Sequence, residues 1–352
     1  MEITLGEIVE LINGKAIKAG GEGKYPVYGS NGIIGYADKY IHDNGLIIGR
    51  VGAYCGSVEY CENKFWASDN TIVAKPKKDI SSARYVYYLL KNAHLNDFAG
   101  GAAQPLLTQR VIKNIEFDIP PHKAQKKIAK ILSNYDKLIE NNSHRTEILV
   151  QIAKAIYQEW FEEYHFPGHE DVPMVDSELG NIPKGWEVID LGQAMNLEYG
   201  KGLRKKDRIN GTFPVYGSSG IIDWHNEALV KGPGIILGRK GNVGSIFWEE
   251  RGFYPIDTVY YVVSDISYRY IYFYLLNQNF ISSDTAVPGL NRNYAYSIPF
   301  LLPDEDTLTK FSQIVTNIFD LSTSLENKNS VLSVLRDLLI PKLLNGDIEV
   351  EI

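Results

Sequence analysis

Two segments of the chain carry apolar residues at spacings that alternate between four and three. This heptad spacing is typical of long helices that pack side by side. No glycine or proline occurs between residues 122 and 166 or between residues 304 and 340, and Pro167 and Pro341 follow these segments as stop signals. The pattern therefore predicts two helices of about 40 residues, each about 60 Å long. The seam positions are Ile128, Leu132, Tyr135, Ile139, Asn142, Thr146, Leu149, Ala153, Ile156 and Trp160, then Phe311, Val315, Ile318, Ser322, Leu325, Asn329 and Leu332.

The centre of each seam is polar. Asn142 and Thr146 lie in the first seam, and Ser322 and Asn329 lie in the second. Buried polar residues weaken a coiled coil but fix its register and partner. Two seams of similar length favour antiparallel pairing with each other, whereas the alternative is that each helix packs on its own domain.

Outside the helices the chain repeats itself, which predicts two homologous domains. Residues 25–36 read YPVYGSNGIIGY, and residues 213–224 read FPVYGSSGIIDW. Further along, GLIIGRVGAYCGSV at 45–58 matches GIILGRKGNVGSI at 234–246. In both copies short β-branched and aromatic runs alternate with glycine-rich turns, which indicates strands of a small sheet.

Each copy also contains one segment without glycine or proline, ARYVYYLLKNA (83–93) and YRYIYFYLLNQ (268–278), which predicts one helix per copy. The fold class is therefore α+β: two homologous mixed α/β domains joined by two long antiparallel coiled-coil helices, with pseudo-twofold symmetry and one domain at each end of the helix pair. The predicted boundaries are 1–120 for the first domain, 121–165 for the first helix, 166–186 for a linker, 187–303 for the second domain and 304–344 for the second helix.

Charge and composition narrow the function classes. The formal net charge is −7, but residues 1–120 and 187–303 each hold equal numbers of basic and acidic groups, so either repeat can present a basic face to nucleic acid. No run approaches the roughly 18 apolar residues of a membrane helix, and no signal peptide pattern precedes the first repeat. The two cysteines are too few for a disulfide framework, which predicts a cytoplasmic protein without a membrane contact.

Arginine, lysine and amide side chains in the loops of the repeats are candidates for DNA binding. Arg50 and Arg239 each follow a glycine at a strand end, where a guanidinium can fork onto a phosphate or a guanine edge; alternatively each pairs with an acid, Asp69 or Asp257. The run KGLRKKDR (201–208) is either a binding surface or a solvated face. The candidate residues are Ser30, Asn31, Arg50, Gln104, Thr108, Arg110, Lys201, Arg204, Lys205, Lys206, Arg208, Ser218, Ser219, Arg239, Lys240, Asn291, Arg292 and Asn293.

Motifs of catalysis are missing from the sequence. There is no P-loop, no dinucleotide fingerprint and no nucleophile elbow. His165 and His169 have the spacing of metal ligands, but they lie in a proline- and glycine-rich linker without a third ligand nearby. We therefore assign no catalytic residue and no metal ligand.

The two copies of PVYGS-x-GII and G-R-x-G-x(2,3)-G-S, the NIPKGWEV segment before the second copy and the two long helices resemble the specificity (S) subunit of a Type I restriction–modification enzyme. The resemblance implies that each repeat is a target-recognition domain that reads one half of a bipartite duplex DNA sequence. It also implies that the helices set the spacing and dock two modification (methyltransferase) subunits, with restriction subunits completing the complex. No cofactor is then bound by this chain, since S-adenosylmethionine belongs to the modification partner, and ATP and Mg to the restriction partner.

Two other classes are alternatives to a DNA-recognition subunit. A structural or glycan-binding repeat protein would use the tyrosine-rich domains, and a self-contained nuclease or methyltransferase would need a cofactor or metal motif that is missing. A further expectation concerns the end of the second helix, where extra leucines extend the apolar surface beyond a two-helix seam and predict a protein partner. These residues are Leu335, Leu338, Leu339 and Leu343.

Overall fold

The computed structural model describes residues 2–77, 80–101, 105–280 and 289–350. The chain divides into two compact units. The first contains Met1–His144 and Leu325–Ile352, and the second contains Arg145–Ser324. Each unit therefore holds one repeat and one half of each long helix.

Strands of the first unit form a six-stranded sheet in the order β2-β7-β5-β6-β3-β4 and a separate pair, β1-β8. All neighbours are antiparallel except β3 and β6. The strands are β1 (Glu2–Thr4), β2 (Val9–Asn13), β3 (Tyr25–Gly29), β4 (Gly32–Ala37), β5 (His42–Gly49), β6 (Val58–Ala67), β7 (Thr71–Pro76) and β8 (Glu116–Asp118). The helices are α1 (Leu5–Ile8), α2 (Ala83–Asn92), α3 (Gln109–Lys113) and the start of α4 (His122–Phe161).

The second unit repeats this arrangement with one difference. Sheets β12-β18-β15-β16 and β14-β13-β17 correspond to the single sheet of the first unit, because the long strand β6 is replaced here by two short strands, β16 and β17. Its strands are β9 (Met174–Ser177), β10 (Gly180–Pro183), β11 (Glu187–Asp190), β12 (Asn196–Tyr199), β13 (Phe213–Gly217), β14 (Gly220–His225), β15 (Gly234–Gly238), β16 (Ile246–Glu249), β17 (Tyr254–Pro255), β18 (Val259–Val263) and β19 (Pro299–Leu302). Its helices are α5 (Leu191–Ala194), α6 (Tyr268–Leu276), α7 (Arg292–Tyr296) and the start of α8 (Glu305–Leu344).

The two segments predicted as helices within the repeats are α2 and α6, and both fold class and repeat structure are confirmed. Each repeat also closes on itself, because its first strand pairs with its last. In the first unit Glu2 lies opposite Asp118, and in the second Glu187 lies opposite Leu302. The chain thus enters and leaves each repeat at neighbouring strand ends.

An arginine fastens the internal helix of each repeat to its sheet. On α2 the guanidinium of Arg84 lies 4.6 Å from the Tyr60 ring centroid and donates to Glu62 at 2.8 Å. On α6 the guanidinium of Arg269 is buried 3.8 Å from the Trp248 ring centroid and pairs with Glu250. A cation stacked on an aromatic face and paired with an acid contributes both packing and electrostatic stabilisation.

The two long helices run antiparallel where they meet inside each unit. In the first unit Arg336 donates to Asp136 at 2.8 Å and Asn142 donates to Asn329 at 2.9 Å, so residue numbers rise along α4 as they fall along α8. In the second unit the aromatic end of α4 packs on Phe311 near the start of α8. All predicted seam positions are buried or half-buried, which confirms the heptad pattern.

The predicted end of α4 differs from the observed one for a local reason, whereas the predicted range 304–344 matches α8 in spite of the proline stop signal inside it. Helix α4 ends at Phe161 rather than at residue 165, because Tyr164 has a left-handed backbone (φ 62°) that an α-helix does not continue through. Pro341 was expected to stop α8, but it lies inside that helix. The burial of Leu343 and Leu344 in the core of the first unit stabilises the last turn despite the lost backbone donor.

Candidate nucleic-acid interface

Arg50 and Arg239 stand on the same backbone framework in the two repeats. In the first unit the Arg50 N–H donates to Asn70 O at 3.0 Å, and the Arg50 carbonyl accepts from Leu107 N at 2.9 Å. The second contact brings the segment that precedes α3 beside the arginine. The loop before a short helix is thereby fixed against the end of strand β5.

The second unit forms the equivalent bonds. The Arg239 N–H donates to Thr258 O at 3.0 Å, and its carbonyl accepts from Leu290 N at 2.8 Å. This contact brings the start of α7, with Asn291 and Arg292, beside Arg239. The predicted loops after strand β15 and before α7 are therefore brought together in space.

A turn that begins at a glycine makes a third backbone contact of this framework in each unit. Gly14 N donates to Thr71 O, and Gly200 N donates to Val259 O. A Cβ atom at Gly14 would lie 1.9 Å from Ser68 O, and one at Gly200 would lie 2.0 Å from a backbone oxygen, that of Ile256. Only glycine permits this close approach, which explains the repeated Gly-Lys pair in the two copies.

The ring of Tyr199 contacts two arginines in the second unit. Its ring centroid is 4.8 Å from the Arg239 guanidinium and 5.1 Å from that of Arg292. Arg239 also donates to the backbone oxygen of Asp257 at 3.0 Å, so its predicted alternative partner contributes a carbonyl rather than its carboxylate. Burial, and then the neighbouring Tyr199, raise the pKa of Tyr260 beneath this stack, although Arg239 opposes the shift.

The corresponding place in the first unit holds amides instead. The Gln109 side chain donates to Asn13 Oδ1 at 2.9 Å. The Arg50 Nε is buried and has no hydrogen-bond partner among the described residues. Within that same part of the chain no ion pair joins Arg50 to Asp69, so the alternative of a structural pair is not observed.

Two of the five cations in the basic run 201–208 are bonded to groups of their own unit. Arg204 donates to Asp207 at 2.6 Å, and Arg208 donates to Asp223 at 3.0 Å and to Leu203 O. A backbone N–H bond from Trp224, followed by the Arg208 bond, lowers the pKa of the Asp223 carboxyl. Arg208 thus holds the loop in place, whereas three lysines remain solvent-exposed. These are Lys201, Lys205 and Lys206.

Several predicted polar residues serve the loops themselves. Ser30 Oγ donates to Asn70 O at 2.8 Å, and Ser218 O accepts from Ser245 at 2.6 Å, so these turns are tied to neighbouring loops. Thr108 and Asn291 cap the short helices α3 and α7. Gln104 lies outside the described residues. The remaining candidates are exposed: Asn31, Arg110, Ser219, Lys240 and Asn293.

Sites of other kinds are not evident in the described ranges. Within the described ranges no group of three or more His, Cys, Asp or Glu side chains is placed to hold a metal ion. Cys55 and Cys61 are buried free thiols. No helix in the described part of the chain is long and apolar enough to cross a membrane.

The family model described as the Type I restriction modification DNA specificity domain matches residues 1–150 and 183–332. The chain belongs to this family. The two matched stretches coincide with the two repeats, as expected for a specificity domain present twice. Membership in this family leaves the alternative of a glycan-binding repeat protein without support.

Relatives of this specificity-domain chain include two archaeal proteins. The Type I restriction enzyme MjaIX specificity subunit of Methanocaldococcus jannaschii is 26% identical over 346 residues, which cover 88% of this chain and 79% of the relative. The MjaVIII specificity subunit of the same organism is 25% identical over 271 residues, covering 72% of this chain and 58% of the relative.

A solved structure shares the fold of this specificity-domain chain. The crystal structure of the Type-I restriction-modification system S subunit from M. genitalium aligns with a TM-score of 0.63 and 19% identity. The alignment covers 100% of this chain and 96% of that chain.

Sequence reasoning missed the residues at the centre of both specificity-domain frameworks. Asn13, Gln109 and Tyr199 were not among the candidates. A signal was present, because Asn13 and Tyr199 immediately precede the aligned Gly-Lys pairs at residues 14–15 and 200–201. Two copies that agree in glycines but differ at the adjacent position indicate a shared scaffold with a variable side chain.

Proposed function

We propose that this chain is the DNA-recognition subunit of a Type I restriction–modification system, in which each unit reads one half of a bipartite duplex sequence. It has no catalytic role of its own in this proposal. S-adenosylmethionine serves modification subunits, and ATP with Mg serves restriction subunits. The antiparallel seam of α4 and α8 sets the distance between the two half-sites.

The observation that carries the proposal is the cluster of cations in the second unit. The framework described above gathers Arg239, Lys240 and Arg292, and Lys201 follows Tyr199 by two residues. Residues 187–303 have no net charge, and the acid beside Arg239, Asp257, meets it through its backbone oxygen rather than its carboxylate. A local cationic surface on a neutral domain supports attraction to phosphates at that surface.

Replacing Arg239 with alanine tests this surface. If the guanidinium contacts a base, we expect a loss of about 1–3 kcal/mol confined to one position of the second half-site. If it contacts phosphate, binding should weaken evenly across sequences and the salt slope should fall by about one. Fluorescence anisotropy with duplex DNA, repeated over a salt series, measures both quantities.

Arg145→Ala is the matched control, since it removes the same charge from an exposed position on α4. It should leave both affinity and slope unchanged. Duplex binding by Arg239→Ala that equals that of the parent, at every salt concentration and sequence, would contradict the assignment of this surface.

We assign the docking of modification subunits to a second surface, on helix α8. Four apolar side chains recur there at a helical spacing and are 44% to 60% exposed: Val331, Val334, Leu335 and Leu338. Of the leucines predicted for this surface, Leu339 is half-buried and Leu343 is 3% exposed in the core of the first unit, so neither belongs to it. A contiguous apolar stripe left in water supports a protein partner, and the acidic charge of this segment disfavours DNA.

The double substitution Val334→Glu and Leu338→Glu should weaken binding of the modification subunit by at least about 100-fold, since two centrally placed apolar anchors each contribute more than a tenfold factor. Isothermal titration with the purified modification subunit measures the effect. The folded chain should retain its unfolding temperature, because both side chains are already exposed.

Lys328→Glu is the control, because it shifts the charge of α8 by the same two units at an exposed polar position. It should bind normally. Equal weakening by both variants would mean that charge rather than the apolar stripe governs assembly.

A further inference from the structure

Three positions on the shared framework correspond in the two units, and two of them carry different side chains. In the first unit these positions are Asn13 at the end of β2, Arg50 directly after β5 and Gln109 at the start of α3. The second unit holds Tyr199, Arg239 and Arg292. We call each set a reading triad.

The register of the sheets makes the two triads equivalent. Asn13 lies opposite Ile72 on β7, and Tyr199 lies opposite Tyr260 on β18. The residue before each arginine is paired in the same way, Gly49 with Thr71 and Gly238 with Val259. The first two positions therefore occupy the same backbone places in the two units, although the residue opposite the first is Ile72 in one unit and Tyr260 in the other.

The first triad is an amide pair. The bond from Gln109 to Asn13 Oδ1 uses one N–H and one oxygen, and the two side chains retain an amide donor on Asn13 and an oxygen on Gln109. One donor beside one acceptor is the pattern that complements N7 and the N6 amino group of adenine in the major groove. The mutual bond fixes both amides before any DNA arrives.

The second triad is a cation–aromatic stack. Tyr199 is 48% exposed, and both guanidiniums lie within 5.1 Å of its ring centroid. A guanidinium held by an aromatic ring loses little further conformational freedom when two of its N–H groups donate hydrogen bonds. Guanine O6 and N7 accept such a pair of bonds. The aromatic ring thus positions two guanidinium groups, and these groups rather than the ring donate to the bases.

We propose that the triads determine base identity: Asn13 and Gln109 read an A·T pair in the half-site of the first unit, and Arg239 and Arg292, held by Tyr199, read G·C pairs in that of the second. This inference rests on the proposed function, because it requires that each unit contacts DNA. It adds the chemistry of the half-sites and names Tyr199 as a positioning residue.

Selection from a pool of randomised duplexes, with the full chain and its variants, tests the inference. The double variant Tyr199→Asn with Arg292→Gln installs the amide pair of the first unit in the second. We expect the G·C preference at one position of the second half-site to change to A·T by about 10-fold or more, while the first half-site stays as in the parent. The reverse variant, Asn13→Tyr with Gln109→Arg, should change the first half-site alone toward G·C.

Single substitutions at Tyr199 separate positioning from mere structure. Tyr199→Phe keeps the ring and should retain the parental preference, whereas Tyr199→Ala should lower the G·C discrimination about 10-fold with an unchanged salt slope. Arg204→Gln, whose guanidinium is bonded to Asp207 on the exposed loop, should select the parental sequence and serves as the control.

The outcomes distinguish this inference from the function on which it rests. A parent chain that selects no sequence, and binds duplexes without salt dependence, would overturn both. A parent that selects a bipartite sequence, with folded double variants that select that same sequence, would overturn the triads alone. A change in the wrong half-site, or equal loss in Tyr199→Phe and Tyr199→Ala, would also overturn them.

Discussion

Replacing Phe311 with alanine should destabilise the second unit by about 3–5 kcal/mol, the range for removing a fully buried aromatic ring. Phe311 has no exposed surface and lies where α8 meets α4 and α6. Its ring packs edge-on against Phe161 at 4.9 Å between centroids and also contacts Tyr157 and Trp160. The cavity cannot be refilled by small movements, because the surrounding rings already constrain one another.

Tryptophan fluorescence during denaturant unfolding measures this loss selectively, since only one of the five tryptophans, Trp66, lies in the first unit. The matched control is Leu321→Ala on the same helix, which removes an exposed side chain and should change the free energy of unfolding by less than about 0.5 kcal/mol. A loss below about 1 kcal/mol for Phe311→Ala would show that the aromatic cluster does not hold the second unit together.

Replacing Gly200 with alanine should damage the DNA surface more than a change of one methyl group suggests. The added Cβ would meet Ile256 O at 2.0 Å, and a backbone oxygen cannot rotate away as a side chain can. The turn must then move, and it carries Tyr199 and Lys201 with it. We expect a destabilisation of about 1–3 kcal/mol, typical of overpacking, with loss of recognition of the second half-site.

Gly202→Ala provides the control within the same loop, because a Cβ atom added at Gly202 would lie 3.9 Å from Asp257 Oδ1, an ordinary contact distance. It should fold and bind as the parent does. Duplex binding to half-site variants, measured beside thermal unfolding, separates the two expected effects. If Gly200→Ala recognises the second half-site normally, the close approach of this turn does not position the reading side chains.

Much of the architecture could be predicted from the sequence because its signals are periodic. The alternation of four and three along the helices depends only on which residues are apolar, and it identified the buried seam correctly. The end of α8 depends on more than a local signal. Pro341 is a local stop signal, but the core contacts of Leu343 and Leu344 outweigh it, and such contacts are not visible in a local pattern.

The proposed DNA surface was only partly predictable, since it depends on contacts between distant segments. Arg239 and Arg292 were both candidates, but the sequence could not reveal that both approach the ring of Tyr199. The run 201–208 is another example of contacts that the sequence does not show. Its five cations were predicted to form either a binding surface or a solvated face, and in the structure Arg204 and Arg208 are bonded to acids of their own unit.

The pairing of the first and last strands in each repeat has a consequence for how the protein can change. Because Glu187 lies opposite Leu302, the first and last residues of the second repeat are neighbours. If this repeat were replaced, a foreign domain whose two ends lie equally close together would fit in its place. Such a graft would leave the framing helices and their register untouched. The second repeat is thus an exchangeable module. A single recombination event bounded by those two strands would supply a new half-site and leave the rest of the chain unchanged.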